Sequence, residues 1–393
     1  MMRHVSRRLG LVAVIALSII TATTVRADAQ QNAYVVTPLV SDQSGKAPIV
    51  DPNLKNAWGV AFTPGASPFW IADNATGLST LYDGAGNIQS TVVTIPCPPN
   101  PGQGSSCPQT AAPTGMVWNP TTMPATAFLV PGTKLPALFI WATEDGTISA
   151  WTGGLGNLTP PLPPNNAVLA VDNSRVPNGR LGAVYKGLAV GVNATPNNVF
   201  LFATNFRAGT VDVFAPNQDS NGVGLPFKSV STHGGFSDPN IPPGFAPFGI
   251  QNINGDLFVT YALQDPARHD DKAGPGNGFV DVFDTDGNLL RRFASQGALN
   301  SPWGVARASF AFGLFSGQIL VGNFGDGRIN AFDSNGNLLA QLGKPNGKAL
   351  RIDGLWTLTL GGGRNSSSDT LYFTAGPNKE TNGLFGTISP AFD

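Results

Sequence analysis

"NAWGVAF" at residues 56–62 and "SPWGVAR" at residues 301–307 write Trp-Gly-Val twice in one chain. Each copy leads into the same series of parts. After the first come "FWIADN" and "LSTLYDGAGNIQSTVV"; after the second come "GQILVGN" and "GRINAFDSNGNLLAQL". Each unit reads as an inner strand opening on X-Gly-apolar, a second strand ending in Asp or Asn, a third strand, a tight turn and a fourth strand. Weaker copies open on "PTGMVWNP", "YKGLAVGV", "PFGIQNI" and "IDGLWTL". The landmark glycines are then Gly59, Gly115, Gly187, Gly249, Gly304 and Gly354, at intervals of 56, 72, 62, 55 and 50 residues. Units of four strands at such intervals are propeller blades, which bury their faces only against neighbours in a closed ring. "YVVTPLV" at 34–40 stands before the first unit, and "LFGTISP" at 384–390 is a third strand with no fourth after it. The expected fold is therefore all-β: one six-bladed β-propeller over residues 30–393, with four-stranded blades and the ring closed by the N-terminal strand.

The composition agrees. The chain has 393 residues with 48 Gly and 33 Pro, 41% hydrophobic and only 12% charged residues, which suits many short strands joined by turns. Residues 1–29 read as a signal peptide: Arg3, Arg7 and Arg8, an apolar run over 9–20, and Ala27-Asp28-Ala29 as a small-x-small cleavage site. The competing reading is a membrane anchor, but the stretch 9–25 is at the short limit of a span. Export to the periplasm or the cell exterior is expected, by the general or the twin-arginine route, with no stable span after cleavage. Without residues 1–29 the chain carries 19 basic and 23 acidic residues, net −4. That balance offers no footprint for nucleic acid or an anionic membrane. Cys97 and Cys107 frame a Pro/Gly loop, and an exported protein would join them in a disulfide. A metal pair lacks a nearby His or second Cys pair. A monomer is expected.

The "X-Gly-Val" first strand, the "ADN" end of the second and the "VFDTDGN" hairpin resemble NHL-type repeats. Residues 34–390 as a whole resemble a family of uncharacterised exported bacterial six-bladed propellers. Some members of that family carry a PEP-CTERM sorting tail; this chain ends at "SPAFD" without one. The resemblance implies the fold and export, and no established reaction.

In such a propeller the inner strand starts, and the second strand ends, on one face, here called the top. Two sets of residues then converge near the axis. The first precedes the landmark glycines: Trp58, Thr114, Lys186, Phe248, Trp303 and Asp353. The second ends the second strands: Asn74, Glu144, Asn205, Tyr261 and Asn323, with Ala375 in the sixth unit. Lactonases of the gluconolactonase type resemble this chain in fold and hold a divalent cation with carboxylates and Asn at the inner-strand starts. A hard cation needs several oxygens. Here only Asp353 and Thr114 offer one and Lys186 repels a cation, so that mechanism does not carry over. The first set either plugs the axis by packing or floors a pocket for a sugar, an aromatic compound or a protein loop, with Lys186 and Asp353 across it. In the second set, Asn74, Glu144, Asn205 and Asn323 either cap turns or hold a divalent cation, calcium being the candidate.

The fourth unit carries an insertion, "LQDPARHDDKAGPGNG" at 263–278, with Asp265, Arg268, His269, Asp270 and Asp271. It is either a solvated charged loop or a functional one. His269 is the best candidate acid or base, since His233 is the only other histidine after the signal segment. "DGAGN" at 83–87, "DTDGN" at 284–288 and "DSNGN" at 333–337 share one hairpin slot, so the second of them is a turn and not a calcium loop. No G-x-S-x-G elbow occurs. The resulting expectation is an exported, non-catalytic scaffold that binds a small molecule, glycan or protein through its top face. The alternative is a lactonase-like, metal-assisted hydrolase or lyase working through Glu144, Asp353 and His269.

Overall fold

The computed structural model describes residues 31–65, 67–100, 107, 110–121, 127–176, 181–193 and 199–391. The expected signal peptide lies outside these residues. Each apolar run forms a strand because β-branched and aromatic side chains pack well on a pleated surface. Blade one is Ala57–Ala61, Phe69–Asp73, Leu78–Tyr82 and Val93–Thr94, hydrogen-bonded in chain order. The inner strands of blades two to six are Pro113–Trp118, Tyr185–Val192, Phe245–Ile253, Pro302–Arg307 and Leu355–Leu360. Blades two to five also have four strands each. Blade six has three strands of its own, and Tyr34–Ser41 supplies the fourth by pairing antiparallel to Leu384–Pro390. Ile49–Val50 adds a short fifth strand. The ring is therefore closed by joining the first strand to the last, as expected.

Neighbouring blades bury each other's faces. Trp70 of blade one stacks on Phe139 of blade two with ring centroids 4.3 Å apart. Phe69 of blade one meets Tyr372 of blade six at 4.5 Å. Cys97 and Cys107 are joined in a disulfide. No helix among the described residues is long and apolar enough to cross a membrane. The three Asp-x-x-Gly-Asn segments are hairpin turns: Asp83, Asp284 and Asp333 each accept a backbone N–H from the Asn four residues on.

The landmark glycines sit where the inner strands crowd the axis. A Cβ added to Gly59 would lie 2.5 Å from the Thr114 carbonyl oxygen, and the equivalent atom on Gly115 would strike Gly187 and Leu188. Blade six departs from the expected register. Its pairs Leu355↔Ala375 and Leu358↔Phe373 match Ala57↔Asp73 and Val60↔Ile71 of blade one. The place of Gly59 is thus taken by Thr357, and the place of Trp58 by Trp356. Gly354 is a turn glycine at φ +65 that precedes the strand. Asp353 is accordingly not an axial residue. It is exposed, and its carboxylate accepts the Asn378 backbone N–H at 2.8 Å.

Candidate functional site

Alternation along a strand sends successive side chains to opposite sides. The six residues paired with the positions two before Gly59, Gly115, Gly187, Gly249, Gly304 and Thr357 are Asp73, Thr143, Asn205, Tyr261, Asn323 and Ala375. Asn74 and Glu144 lie one position further on, level with Phe206, Ala262 and Phe324. Asn205 and Asn323 therefore do not join Asn74 and Glu144. Asn205 accepts the Ala208 N–H at 3.2 Å and donates to Asp212; Asn323 accepts the Asn300 N–H and donates to the Ala298 carbonyl. Both tie local backbone, as Asn does at turns.

At the axis, Trp58, Phe206, Phe248, Trp303 and Trp356 form one buried cluster with Phe324 against it. Trp58 and Trp356 stack at 3.5 Å between centroids, Phe324 stacks on Trp356 at 3.9 Å, and Trp303 presents an edge to Trp58 at 6.0 Å. Offset stacks and edge contacts of this kind are favourable ring geometries. The aromatic residues expected at the axis are there, but they bury one another. Thr114 is also buried, and its hydroxyl donates to the Tyr185 carbonyl of the next blade at 2.8 Å.

Lys186 rises from this floor with its side chain 3% exposed. Its ammonium is ion-paired to Glu144, lies 3.3 Å from Asp270 Oδ1, and faces the rings of Trp58 at 5.3 Å and Phe206 at 5.9 Å. Burial pulls its pKa down, but Glu144, Asp270 and Glu380 together outweigh that, and the net shift is upward. Glu144 also accepts from Asn74 Nδ2 at 3.0 Å. Asn74 in turn accepts from Asn56 Nδ2 at 3.1 Å, and the same Asn56 nitrogen donates to Glu380 at 2.9 Å. Trp356 Nε1 donates to Asn56 Oδ1 at 3.0 Å, which joins the polar chain to the aromatic floor.

The insertion of blade four folds over this cluster. Asp265 accepts the His269 N–H at 2.8 Å, and the Lys272 N–H returns to the Leu263 carbonyl at 2.7 Å. That fold sets His269 Nδ1 2.9 Å from Asp270 Oδ1 at the mouth. The hydrogen bond from His269 holds the Asp270 carboxyl well below the usual carboxylate range, with Lys186 adding to it against some desolvation. Burial pushes Asp271 up. Burial, and then the Glu144 charge, push Glu380 up to about 7.

Of the three candidate catalytic residues, Glu144 and His269 meet and Asp353 stays outside. Ligating atoms of Glu144, His269 and Asp270 all lie within 4.8 Å of one another, which is metal-ligand spacing. The Lys186 ammonium already engages two of the three. The sequence reading missed Asn56 and Glu380. Glu380 sits on a turn in which Asn378, Lys379 and Glu380 all have left-handed backbone, φ 57, 57 and 65. Side chains with a Cβ pay roughly 1–2 kcal/mol each for that conformation. One signal was available: Glu144 and Glu380 are the only glutamates in the chain.

Two proteins of Acanthamoeba polyphaga mimivirus resemble the chain along most of its length. Uncharacterized protein R648 is 33% identical over 357 residues, covering 90% of this chain and 80% of its own. Uncharacterized protein L690 is 31% identical over 360 residues, covering 90% and 85%. Among solved structures, a gluconolactonase from Xanthomonas campestris is 14% identical with a TM-score of 0.45, covering 86% of this chain and 87% of its own. A streptogramin B lyase is 10% identical with a TM-score of 0.43, covering 91% and 98%. No protein-family model matches the chain.

Proposed function

The chain belongs to the same family as the mimivirus proteins R648 and L690, and we propose that it is a non-catalytic binding propeller whose top mouth receives a cationic group. The observation that carries this reading is the meeting of both glutamates of the chain with Asp270 around one buried ammonium. Glu144, Asp265, Asp270, Asp271 and Glu380 share the mouth with two fixed cations, Lys186 and the half-buried Arg207, so carboxylates outnumber the cations there. Carboxylates around a partly buried mouth attract an ammonium or guanidinium, whether it belongs to a small molecule or to a side chain of a protein partner. The buried aromatic floor argues against ring stacking as the mode of recognition. Export remains part of this proposal and rests on the basic and apolar pattern of residues 1–29 alone.

A second reading is metal-assisted hydrolysis or lyase chemistry at Glu144, His269 and Asp270, favoured by the mutual approach of their ligand atoms. One set of melting curves separates the two, taken with spermidine, with arginine amide, with calcium, with magnesium and with EDTA. A ligand at a hundred times its dissociation constant stabilises by about 2.7 kcal/mol, or roughly 3–4 °C for a fold this size. The proposal expects shifts with the organic cations, and overlaid curves for the metals and EDTA. A calcium shift reversed by EDTA would instead favour the metal reading.

A further inference from the structure

The propeller has a second mouth, and its chemistry is the reverse of the first. Beyond the glycine ring the inner strands run on to the opposite face, away from the aromatic floor. There they border an open cavity of about 320 Å³ whose half-buried lining includes Phe62, Trp118 and Val190. A neighbouring cavity of about 200 Å³, bounded by Val305, Leu358 and Leu360, shares Gln251, Asn252 and Thr359 with it. Together the two are lined from all six blades and make one funnel with a mixed wall, apolar at Phe62, Trp118, Val190 and Leu360 and polar at Gln251, Asn252 and Thr359. The joint volume is at the lower end for a small-molecule site, and its apolar and polar groups lie side by side, as an amphipathic ligand requires.

Among the described residues the lining includes one charged residue, Arg307. It is exposed at the end of its strand and forms no ion pair with any described carboxylate. Its Nε donates to the Gly317 carbonyl at 3.2 Å, which fixes the side chain, and its guanidinium lies 5.7 Å from the ring of Phe310. Phe310 is 83% exposed, the most exposed large apolar side chain described. Gln251, on the shared wall, is exposed as well. Among the described residues no acceptor takes the outer N–H groups of this guanidinium, which suits a carboxylate bound in a paired fork.

We propose that this lower mouth is a binding site for an amphipathic carboxylate, with the apolar tail in the funnel and the acid group on Arg307. No carboxylate among the described residues lines the funnel to oppose that charge. The site is independent of the top mouth, from which the buried aromatic cluster separates it.

The test is a fluorescence titration of the full chain with 11-(dansylamino)undecanoic acid and with its methyl ester. The acid should give saturable enhancement at one site per chain, and the ester should bind about tenfold or more weaker, the scale of a charged hydrogen-bonded pair. Arg307→Gln should weaken the acid by a similar factor and leave the ester unchanged. The exposed position of Arg307 allows that variant to fold, and an unchanged melting curve confirms it. Val190→Trp, which adds bulk at a half-buried position of the wall, should weaken both, with an unchanged melting curve as the control for folding. Absence of saturable binding, equal binding of acid and ester, or an Arg307→Gln variant that binds the acid as tightly as the native chain would each overturn the proposal.

Discussion

The Lys186 ammonium is ion-paired to the Glu144 carboxylate across the boundary between blades two and three, and both side chains are largely withdrawn from water. Neither charge could be left there alone. Removing one partner of a buried pair costs about 3–5 kcal/mol, because the other stays desolvated and uncompensated. Lys186→Met should therefore destabilise the fold by about that amount in urea unfolding. The same substitution vacates the space between Glu144, His269 and Asp270. Divalent calcium or zinc should then recover part of the loss in the variant while leaving the native chain unmoved. The Lys186→Met, Glu144→Leu double variant should be less destabilised than the single. If the single and double variants lose equal stability, the pair is not the interaction described.

Glu380 gives the mouth a pH dependence whose sign follows from burial. Its pKa rises from the ordinary 4.5 to about 7, so between those values the folded chain holds a proton that the unfolded chain has released. Its contribution to stability is complete below about pH 4.5 and is lost as the pH rises to about 7. Glu380→Gln keeps an oxygen for Asn56 Nδ2 and removes the titration. From pH 5 to pH 8 the variant should gain stability relative to the native chain, with the difference level above that. Urea denaturation of both proteins at four pH values measures it, and parallel profiles would show that Glu380 is not buried as described.

The glycine ring predicts a steep contrast between two alanine substitutions. Gly59→Ala places a Cβ 2.5 Å from the Thr114 carbonyl oxygen and 2.9 Å from the Met116 nitrogen, both backbone atoms of the next blade. Backbone cannot step aside as a flexible side chain would, so the cost should be about 1–3 kcal/mol or more, as for overpacking. Gly153→Ala meets nothing within 4 Å at an exposed turn and should be near neutral. Equal melting temperatures for the two variants would contradict the close approach at the axis.

That same close approach explains which parts of the molecule were legible in its sequence. Where inner strands meet within a Cβ's reach, glycine is required, and five blades announce themselves by it. Blade six meets the need differently: Thr357 stands there and donates its hydroxyl to the Trp58 carbonyl at 2.7 Å. With no glycine at the proper place, the Asp-Gly turn three residues upstream imitates the motif. The N-terminal closure was legible because an unmatched strand at each end of the chain has one economical partner. The site was legible only as residue types. Glu144 and His269 stand out as rare ionisable groups, yet their meeting depends on how a 16-residue insertion folds back over the axis. Asn205 and Asn323 differ from Asn74 by a single step along the strand, and one step reverses the side that a side chain faces. Glu380 reaches the axis through a left-handed turn that has no periodic signature.

The register of blade six is itself testable, because it exchanges the roles of two nearby residues. Trp356 is 1% exposed, stacks on Trp58 and Phe324, and donates to Asn56. Trp356→Phe keeps most of the stacking area and loses the hydrogen bond, which should cost about 1–3 kcal/mol through the unsatisfied Asn56 oxygen. Trp356→Ala should cost about 3–5 kcal/mol by opening a cavity in the axial cluster. Asp353→Ala removes one acceptor from an exposed turn and should cost under about 1 kcal/mol. Were Gly354 the axial glycine, Asp353 would stand at the centre of the ring and this order would be reversed. Urea unfolding of the three variants, with tryptophan fluorescence to follow the axial cluster, decides between the two registers.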